Sequence, residues 1–220
     1  MHLLVPILAI VLATCHAFVP NVLPEAYDAY AGGISLCGFL EKFKESIKNG
    51  NQKLGIPVLD PLRVNHLDLN VNKEELLLQG YLNNIHAIGL SNYVVNRGDF
   101  SIVGLIANVS LLFNQIDLMT EYNVKGTLMN KISLYGHGNI ALDIRKLNVS
   151  VNLQLSTVDQ KIQAKNVVLN VHVKEFNLKI TGLFDDEDLS ATLSKAISDI
   201  LPGIIDDYQS EISKKASSIV

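Results

Sequence analysis

The chain has 220 residues, of which 48% are apolar and 18% are charged, and its formal net charge is −4. This length suits one large domain or two small ones, and the composition excludes a disordered chain. A charge this mild argues against a nucleic-acid interface, which needs clustered Lys and Arg, and against strong attraction to an anionic membrane.

The N-terminal residues have the pattern of a secretory signal peptide. Leu3 to Ala13 form an apolar run that has the length of a signal-peptide core and is too short to span a membrane. Ala17 offers a small residue for cleavage before Phe18. We therefore expect residues 1–17 to be removed and residues 18–220 to form a single, secreted, extracellular domain.

Cleavage after Ala17 removes Cys15 and leaves Cys37 as the only cysteine. A secreted chain with one cysteine has no internal disulfide, so burial of apolar surface must hold the domain together. We interpret Cys37 as a small buried side chain on a helix.

A short helix is predicted first, followed by an apolar elbow. Ile34, Cys37, Leu40, Phe43 and Ile47 have the spacing of an amphipathic helix, which residues 49–51 (Asn-Gly-Asn) should end. Residues 54–62 (LGIPVLDPL) follow and are unusually apolar for a linker. They predict a buried connection with four side chains in the core, namely Ile56, Val58, Leu59 and Leu62.

From Leu62 onwards the period of the apolar residues changes to two. Alternation is clearest over residues 103–113, 147–155 and 167–173, and it indicates long antiparallel strands with one buried and one wet face. Breaks in phase after Ile144 and after Val173 indicate turns or bulges that bend the sheet.

Two glycosylation sequons lie within these alternating segments. Asn108-Val-Ser110 and Asn148-Val-Ser150 place both asparagines opposite the apolar side chains. We therefore expect Asn108 and Asn148 to project outward, where a glycan could be attached.

The end of the chain predicts a long helix. Acidic residues 185–188 should cap its start, and Pro202-Gly203 should kink or interrupt it. Its apolar stripe needs a partner of matching length, and the sheet is the candidate. The stripe consists of Leu189, Leu193, Ile197, Ile200, Ile204, Tyr208 and Ile212. The predicted fold is α+β, with a shorter N-terminal helix and a long C-terminal helix wrapped by a strongly curved antiparallel sheet.

No catalytic residue, metal site or cofactor is predicted. The sequence lacks the motifs HExxH, CxxC, GxSxG, SxxK and the glycine-rich phosphate loops. The glycines of residues 135–139 (YGHGN) indicate a turn more readily than a catalytic loop around His137. Arg97-Gly98-Asp99 is interpreted as a hairpin tip.

Many apolar side chains with few converging polar ones favour a hydrophobic ligand, since small-molecule pockets are mostly apolar. The alternative is that these side chains fill a core. The candidate lining residues face inward in the alternating pattern, and they are Leu105, Val109, Leu111, Val151, Leu153, Val171, Ile197 and Leu201.

Several blocks in a fixed order carry a family resemblance. They include the elbow at 54–62, residues 88–91 (IGLS), 120–122 (TEY), 134–139 (LYGHGN) and 180–184 (ITGLF). In these blocks the chain resembles the insect juvenile hormone-binding and takeout-like proteins and the group 7 mite allergen-like proteins, within the tubular lipid-binding superfamily. Of the N-terminal cysteine pair usual in the first two groups, only Cys37 is present.

The resemblance implies a non-enzymatic carrier with a tunnel for a lipid-like ligand, such as a terpenoid or a fatty acid. We expect a small hydrophobic ligand as partner, no nucleic acid and no stable membrane insertion. The alternative function is a secreted module that recognises a protein or microbial surface through its exterior. A histidine-based esterase is the remaining, weaker hypothesis.

Overall fold

A computed structural model describes residues 34–73, 76–129, 131–158 and 161–217. The predicted signal segment 1–17 lies outside these residues. The described elements are β1 (Ile34–Ser35), α1 (Cys37–Asn49), a 3₁₀ turn (Gln52–Leu54), β2 (Leu62–Lys73), β3 (Leu76–Ile88), β4 (Tyr93–Ser101), β5 (Ile106–Leu128), β6 (Ile132–Val158), β7 (Lys161–Ile180), α2 (Glu187–Asp207) and α3 (Gln209–Ser217).

The predicted amphipathic helix is confirmed as α1. Leu40, Phe43 and Ile47 are buried along one face, and Gly50 ends the helix with a φ of 72°, a conformation that glycine adopts at little cost. The phenol of Tyr93 on β4 donates a hydrogen bond of 2.6 Å to the Leu40 carbonyl. This bond fixes α1 against the sheet.

The elbow is a structured junction that is only partly buried. Ile56 is buried, whereas the prediction for Val58 is wrong, because Val58 is exposed. The Asp60 carboxylate accepts hydrogen bonds from the backbone N–H groups of Gly89 and Ser91 at 3.0 and 2.8 Å. Two blocks of the sequence that lie 29 residues apart are thereby joined at the end of β3.

The seven strands form one antiparallel sheet. Its order is β1-β4-β5-β3-β2, with β6 paired to β5 and β7 paired to β6. One edge of the long strand β5 pairs with β4 over Ile106–Phe113 and with β3 over Asp117–Leu128, while its other edge pairs with β6 along its length. The sheet is strongly curved, and its inner face holds the core.

The breaks in phase lie on one line across the sheet. Phe113, Leu147 and Val173 form one row of paired residues, and Ile116, Ile144 and Phe176 form another. The strands continue through this line without a turn, and Lys146 within it has a φ of 53°. The phase breaks are therefore backbone irregularities inside continuous strands.

This line divides the inner face into two halves. In the closed half, the buried side chains of β5, β6 and β7 form one continuous core together with those of α1. In the open half, the inner-face side chains of β2, β3, β5 and β6 are mostly only half-buried. The closed-half core on β5, β6 and β7 comprises Ala107, Val109, Leu111, Phe113, Leu147, Val149, Val151, Leu153, Leu155, Val167, Leu169, Val171 and Val173.

The start of one predicted strand is corrected. Val103 is 89% exposed, and β5 begins only at Ile106. Gly104 and Leu105 have positive φ values of 90° and 51°, which places residues 102–105 in the turn after β4. Alternation of apolar residues continued through this turn, so periodicity alone could not separate it from the strand.

The C-terminal helices pack on the edge of β7 through polar side chains. Ser190 and Ser194 are buried. The predicted packing of the C-terminal helix on the curved sheet is confirmed, but four members of the apolar stripe remain exposed, namely Leu189, Ile200, Ile204 and Tyr208. One row of α2 and α3 side chains bonds to the free backbone groups of β7 and the residues after it. We call it the edge row, and it consists of Ser190, Ser194, Ser198, Gln209, Ser213 and Ser217.

The geometry of the edge row is regular. The hydroxyl oxygens of Ser190, Ser194 and Ser198 each accept from a backbone N–H at 2.9 Å. An unpaired strand edge is a template for aggregation, and proteins cover such edges. The edge row satisfies the outward-facing N–H groups of Ile180 and Leu178, among others.

Of the two alternatives predicted at Pro202-Gly203, the interruption is wrong, whereas the kink stays a prediction. The helix α2 contains Pro202 and continues to Asp207, and Tyr208 separates it from α3. The acidic cap is confirmed, because the Asp186 carboxylate accepts from the N–H of Leu189 at 2.9 Å.

The edge row generates the first prediction. In Ser194→Ala the N–H of Ile180 loses its acceptor inside a buried contact, and we expect the free energy of unfolding to fall by about 1 to 3 kcal/mol. Denaturant unfolding measures the change, and the exposed Ser210→Ala is the matched control. Equal stabilities of the two variants would contradict the assigned role of the edge row.

Candidate functional site

The inner face of the open half is an apolar surface that lacks a full covering. Paired rows bring its side chains together, for example Leu69 with Gly80 and Leu82 with Tyr122. The apolar members are Leu67, Leu69, Val71, Leu76, Leu78, Leu82, Leu118, Val124, Leu128, Ile132, Leu134 and Ile140. None of these twelve is among the buried core residues of the described chain.

A second apolar surface, on α2, is turned towards the same side. Asp206 pairs with His172 at 2.9 Å, and His172 lies on the outer face of β7, between the buried Val171 and Val173. Successive residues of a helix are rotated by about 100° around its axis. Viewed along the axis, Asp206 therefore lies about 120° from Ser194 in one direction, and Ile200 lies about 120° from it in the other. Because Asp206 faces outward, the apolar stripe with Ile200 faces the inner side.

The exposure of the α2 stripe indicates that the two surfaces do not pack closely together. Leu189, Ile200 and Ile204 on the stripe are 39%, 56% and 42% exposed, although they are turned towards the apolar inner face. We call the space bounded by the open half and this stripe the trough. Two apolar surfaces that face one side and do not pack together are the main geometric feature of the site.

The segment after β7 continues the backbone pairing with β6, since the Thr181 N–H donates to the Asn139 carbonyl at 3.0 Å and the Phe184 N–H to the Tyr135 carbonyl at 2.9 Å. It borders the open half, and we call it the wall of the trough. The backbone of residues 181–183 lies so close to β6 that a Cβ on Gly136 would come 2.7 Å from the Gly182 carbonyl oxygen, and one on Gly138 would overlap that of Thr181. The prediction that residues 135–139 form a turn is wrong, because they lie inside β6. Glycine is needed there for the close approach of a second backbone.

Tyr122 places the main polar group on this wall. Its phenol is buried and donates a hydrogen bond of 2.9 Å to the Thr181 carbonyl. Burial raises the pKa of Tyr122, and the nearby Glu187 and Asp185 raise it further. The phenol therefore stays neutral at physiological pH and acts as a hydrogen-bonding group.

The predicted lining residues fall into three places. Val109, Leu111, Val151, Leu153 and Val171 are buried in the closed half, at the packed end of the same inner face. Leu105 lies in the β4–β5 turn and packs against the core.

The two remaining predicted lining residues are on α2. Ile197 and Leu201 are half-buried between the edge row and the exposed stripe. Their role as lining residues stays a prediction.

Sequence reasoning missed most of the open half. Gly80, Gly126, Gly136 and Gly138 interrupt the apolar alternation there, and Gly136 and Gly138 made part of β6 resemble a turn. The alternation of Leu67, Leu69 and Val71, and of Leu76 and Leu78, was the signal that could have identified this surface.

The Arg97-Gly98-Asp99 tripeptide is not at a hairpin tip, and that interpretation is wrong. It lies inside β4, where Gly98 is opposite Val109 of β5. Arg97 and Asp99 pair with each other at 2.6 Å, and a Cβ on Gly98 would meet the backbone nitrogen of Cys37 at 2.8 Å. A tripeptide held in this way is not displayed as a loop.

Both sequons lie on the outer face, on neighbouring strands. Asn152 Nδ2 donates to Asn108 Oδ1 at 2.6 Å, and Ser150 Oγ contacts Ser110 Oγ at 3.0 Å. Asn108 and Asn148 are both half-buried among these polar neighbours. The predicted outward direction of the two asparagines agrees with this placement.

Charged groups near the trough are exposed ion pairs. His137 lies 3.6 Å from Asp185 on the surface, and His66 pairs with Asp68 at 3.1 Å. Within the described ranges, no group of three or more His, Cys, Asp or Glu side chains could hold a metal ion. No helix in the same ranges is long and apolar enough to cross a membrane.

Comparison with known proteins identifies the family of the chain and a solved structure with a similar fold. The sequence matches the family described as haemolymph juvenile hormone binding protein over residues 12–220, so the chain belongs to that family. The fold is similar to the crystal structure of Epiphyas postvittana Takeout 1, with a TM-score of 0.54, 14% sequence identity and coverage of 82% of this chain and 85% of that one. A search of curated proteins found no significant match.

The wall of the trough generates the second prediction. In Gly138→Ala the added Cβ displaces residues 181–183, and we expect the free energy of unfolding to fall by about 1 to 3 kcal/mol. Gly38→Ala is the control, because nothing lies within 4 Å of its Cβ position. Thermal and denaturant unfolding of both variants test the close approach, and an unchanged Gly138→Ala protein would contradict it.

Proposed function

We propose that this protein is a secreted carrier that binds a small hydrophobic ligand in the trough, without catalysing a reaction. The observation that carries the proposal is the pair of unpacked apolar surfaces, the inner face of the open half and the α2 stripe with Ile200 and Ile204. Burial of apolar surface contributes about 25 cal/mol per Å², so a ligand that covers both surfaces is stabilised without any charged partner.

The chemistry of the trough supports an elongated, mostly apolar ligand with a small polar group. Tyr122 is a neutral hydrogen-bonding group at the wall. The surrounding inner face is mostly leucine, isoleucine, valine and glycine, and the hydroxyl of the buried Thr120 is already used in a hydrogen bond to the Asn83 carbonyl. Sites of this composition select by shape and desolvation. A terpenoid or a fatty acid has these properties, and the family's description names juvenile hormone for its haemolymph members.

The predicted lining residues extend this site. Leu111 and Val151 continue the inner face into the closed half, and Ile197 and Leu201 lie at the side of the stripe. We propose that the ligand occupies the open half first and that the buried residues form its closed end.

Secretion and glycosylation belong to the same proposal. The family's description refers to a haemolymph protein, which is consistent with a signal peptide at residues 1–17 and with one mature domain at 18–220. A glycan on Asn108 or Asn148 would lie on the outer face and leave the trough free.

The third prediction tests the trough with neighbouring residues on opposite faces. In Leu82→Glu a carboxylate is placed on the apolar inner face, and we expect the affinity for a fluorescent fatty-acid analogue to fall at least about tenfold. Tyr81→Glu, one residue away on the outer face, should bind within about twofold of the original protein. Fluorescence titration measures both affinities.

A second pair of variants tests the helical side of the trough without disturbing packing. Ile200 is exposed, so Ile200→Gln should fold normally and still weaken probe binding, whereas the adjacent Asp199→Gln should not. A protein that ignores the probe and that releases no lipid on extraction would contradict the carrier function. Equal binding by all four variants would contradict the location of the site.

A further inference from the structure

The far end of the open half exposes a cluster of apolar side chains at two neighbouring strand connections. The β2–β3 and β5–β6 connections lie side by side, because Leu76 pairs with Leu128 and Leu128 pairs with Ile132. Leu77, Met129 and Ile132 are 40%, 60% and 52% exposed there. We call these three residues the apolar tip.

Three lysines lie near the apolar tip, two of them at the strand connections and one further along β5. Lys131 is in the β5–β6 connection itself, and Lys73 pairs with Leu76. Lys125 pairs with Tyr135 three residues behind the Leu128–Ile132 row, which corresponds to about 10 Å along the strands. All three lysines are exposed, and no carboxylate within the described ranges forms an ion pair with them.

The positive charge is concentrated on the β5–β6 side. In the sequence, Glu74 and Glu75 follow Lys73 in the other connection and offset its charge. Residues 125–135 contain Lys125 and Lys131 and no acidic residue. The apolar tip and a local positive charge therefore coincide on one hairpin.

We propose that the apolar tip docks reversibly on an anionic phospholipid surface. Interfacial segments bury their apolar side chains about 5 to 10 Å into the boundary between headgroups and acyl chains. At this depth Met129 and Ile132 contact acyl chains, while Lys125 and Tyr135 lie among the headgroups. Tyrosine and lysine are the side chains suited to that layer.

This local attraction is compatible with the net charge of −4. Charges interact over a screening length of about 8 Å at physiological ionic strength, so the surface is influenced mainly by the lysines of the tip. The whole-chain charge predicted no strong attraction to membranes, and two lysines with three apolar side chains give weak, reversible binding.

The position of the tip next to the trough suits the transfer of a ligand between a membrane and the trough. Leu78 and Leu134 lie on the inner face directly behind it, so the trough approaches the surface at this end. An apolar ligand could then move between the bilayer and the trough with little exposure to water. Docking itself needs no ligand, so it can be tested independently of the proposed carrier function.

The test uses the absence of tryptophan from the sequence. Met129→Trp introduces a single fluorophore at the tip, and Val103→Trp introduces one at the exposed β4–β5 turn as the control. With vesicles of phosphatidylcholine and phosphatidylserine, we expect a blue shift and quenching by brominated acyl chains for Met129→Trp only. Equal quenching of both variants, or none in either, would overturn the proposal.

Charge and apolar variants separate the two contributions. Lys125→Gln and Lys131→Gln should each weaken co-sedimentation with anionic vesicles about fivefold and leave binding to pure phosphatidylcholine unchanged. The combined change Leu77→Ser, Met129→Ser and Ile132→Ser should remove binding to both.

Circular dichroism and denaturant unfolding verify that these variants are folded, and Met129→Ser alone is the milder version, because it lies outside the strands. If the tip variants change the oligomeric state while vesicle binding stays the same, the tip is a contact between protein copies and membrane docking is refuted.

Discussion

The free edge of β7 is the constraint on which the rest of the structure depends. Its outward N–H and C=O groups need partners, and an uncovered strand edge in a 20-residue strand would be a template for another chain. The edge row on α2 and α3 supplies hydroxyl and amide groups at helical spacing, starting with Ser190, Ser194 and Ser198. The helices are therefore positioned by hydrogen bonds along an edge, and apolar packing joins from the middle of α2 onwards, at Leu201, Ile205, Ile212 and Ala216.

Placing α2 on the edge determines where apolar surface remains uncovered. A helix held on the face of the sheet would pack its apolar stripe against the open half and fill the space. On the edge, Ile200 and Ile204 face the inner side without contacting a core, and the open half keeps half-buried residues such as Leu82 and Val124. The trough is a consequence of this geometry, and membership in the juvenile hormone binding family is consistent with a ligand in it.

Two junctions between distant parts of the sequence set the ends of this arrangement. Asp60 bonds to the backbone at Gly89 and Ser91 and holds the elbow against the end of β3. Gly136 and Gly138 admit residues 181–183 against β6, which determines where α2 begins. The blocks that carry the family resemblance are therefore mostly structural junctions.

Much of the fold could be predicted from the sequence, because period-two and helical patterns report burial directly. The strands around Val109, Val151 and Val171 and the helix α1 follow from those patterns. Two features could not be predicted. A row of serines four residues apart gives no apolar signal, and Gly136 and Gly138 look the same in sequence whether they lie in a turn or in a strand whose paired neighbour approaches closely. The site was only partly predicted for the same reason, since glycines interrupt the alternation in the open half.

Methyl NMR of the protein with a bound fatty acid tests the central claim most directly. Leucine and valine methyl groups are labelled, and contacts between ligand protons and protein methyl groups are recorded. The account predicts contacts from the ligand to Leu82 and Val124 on the inner face, and none to the exposed Val94 and Val168 on the outer face. Contacts at Val94 or Val168, or a ligand that contacts no inner-face methyl group, would contradict it.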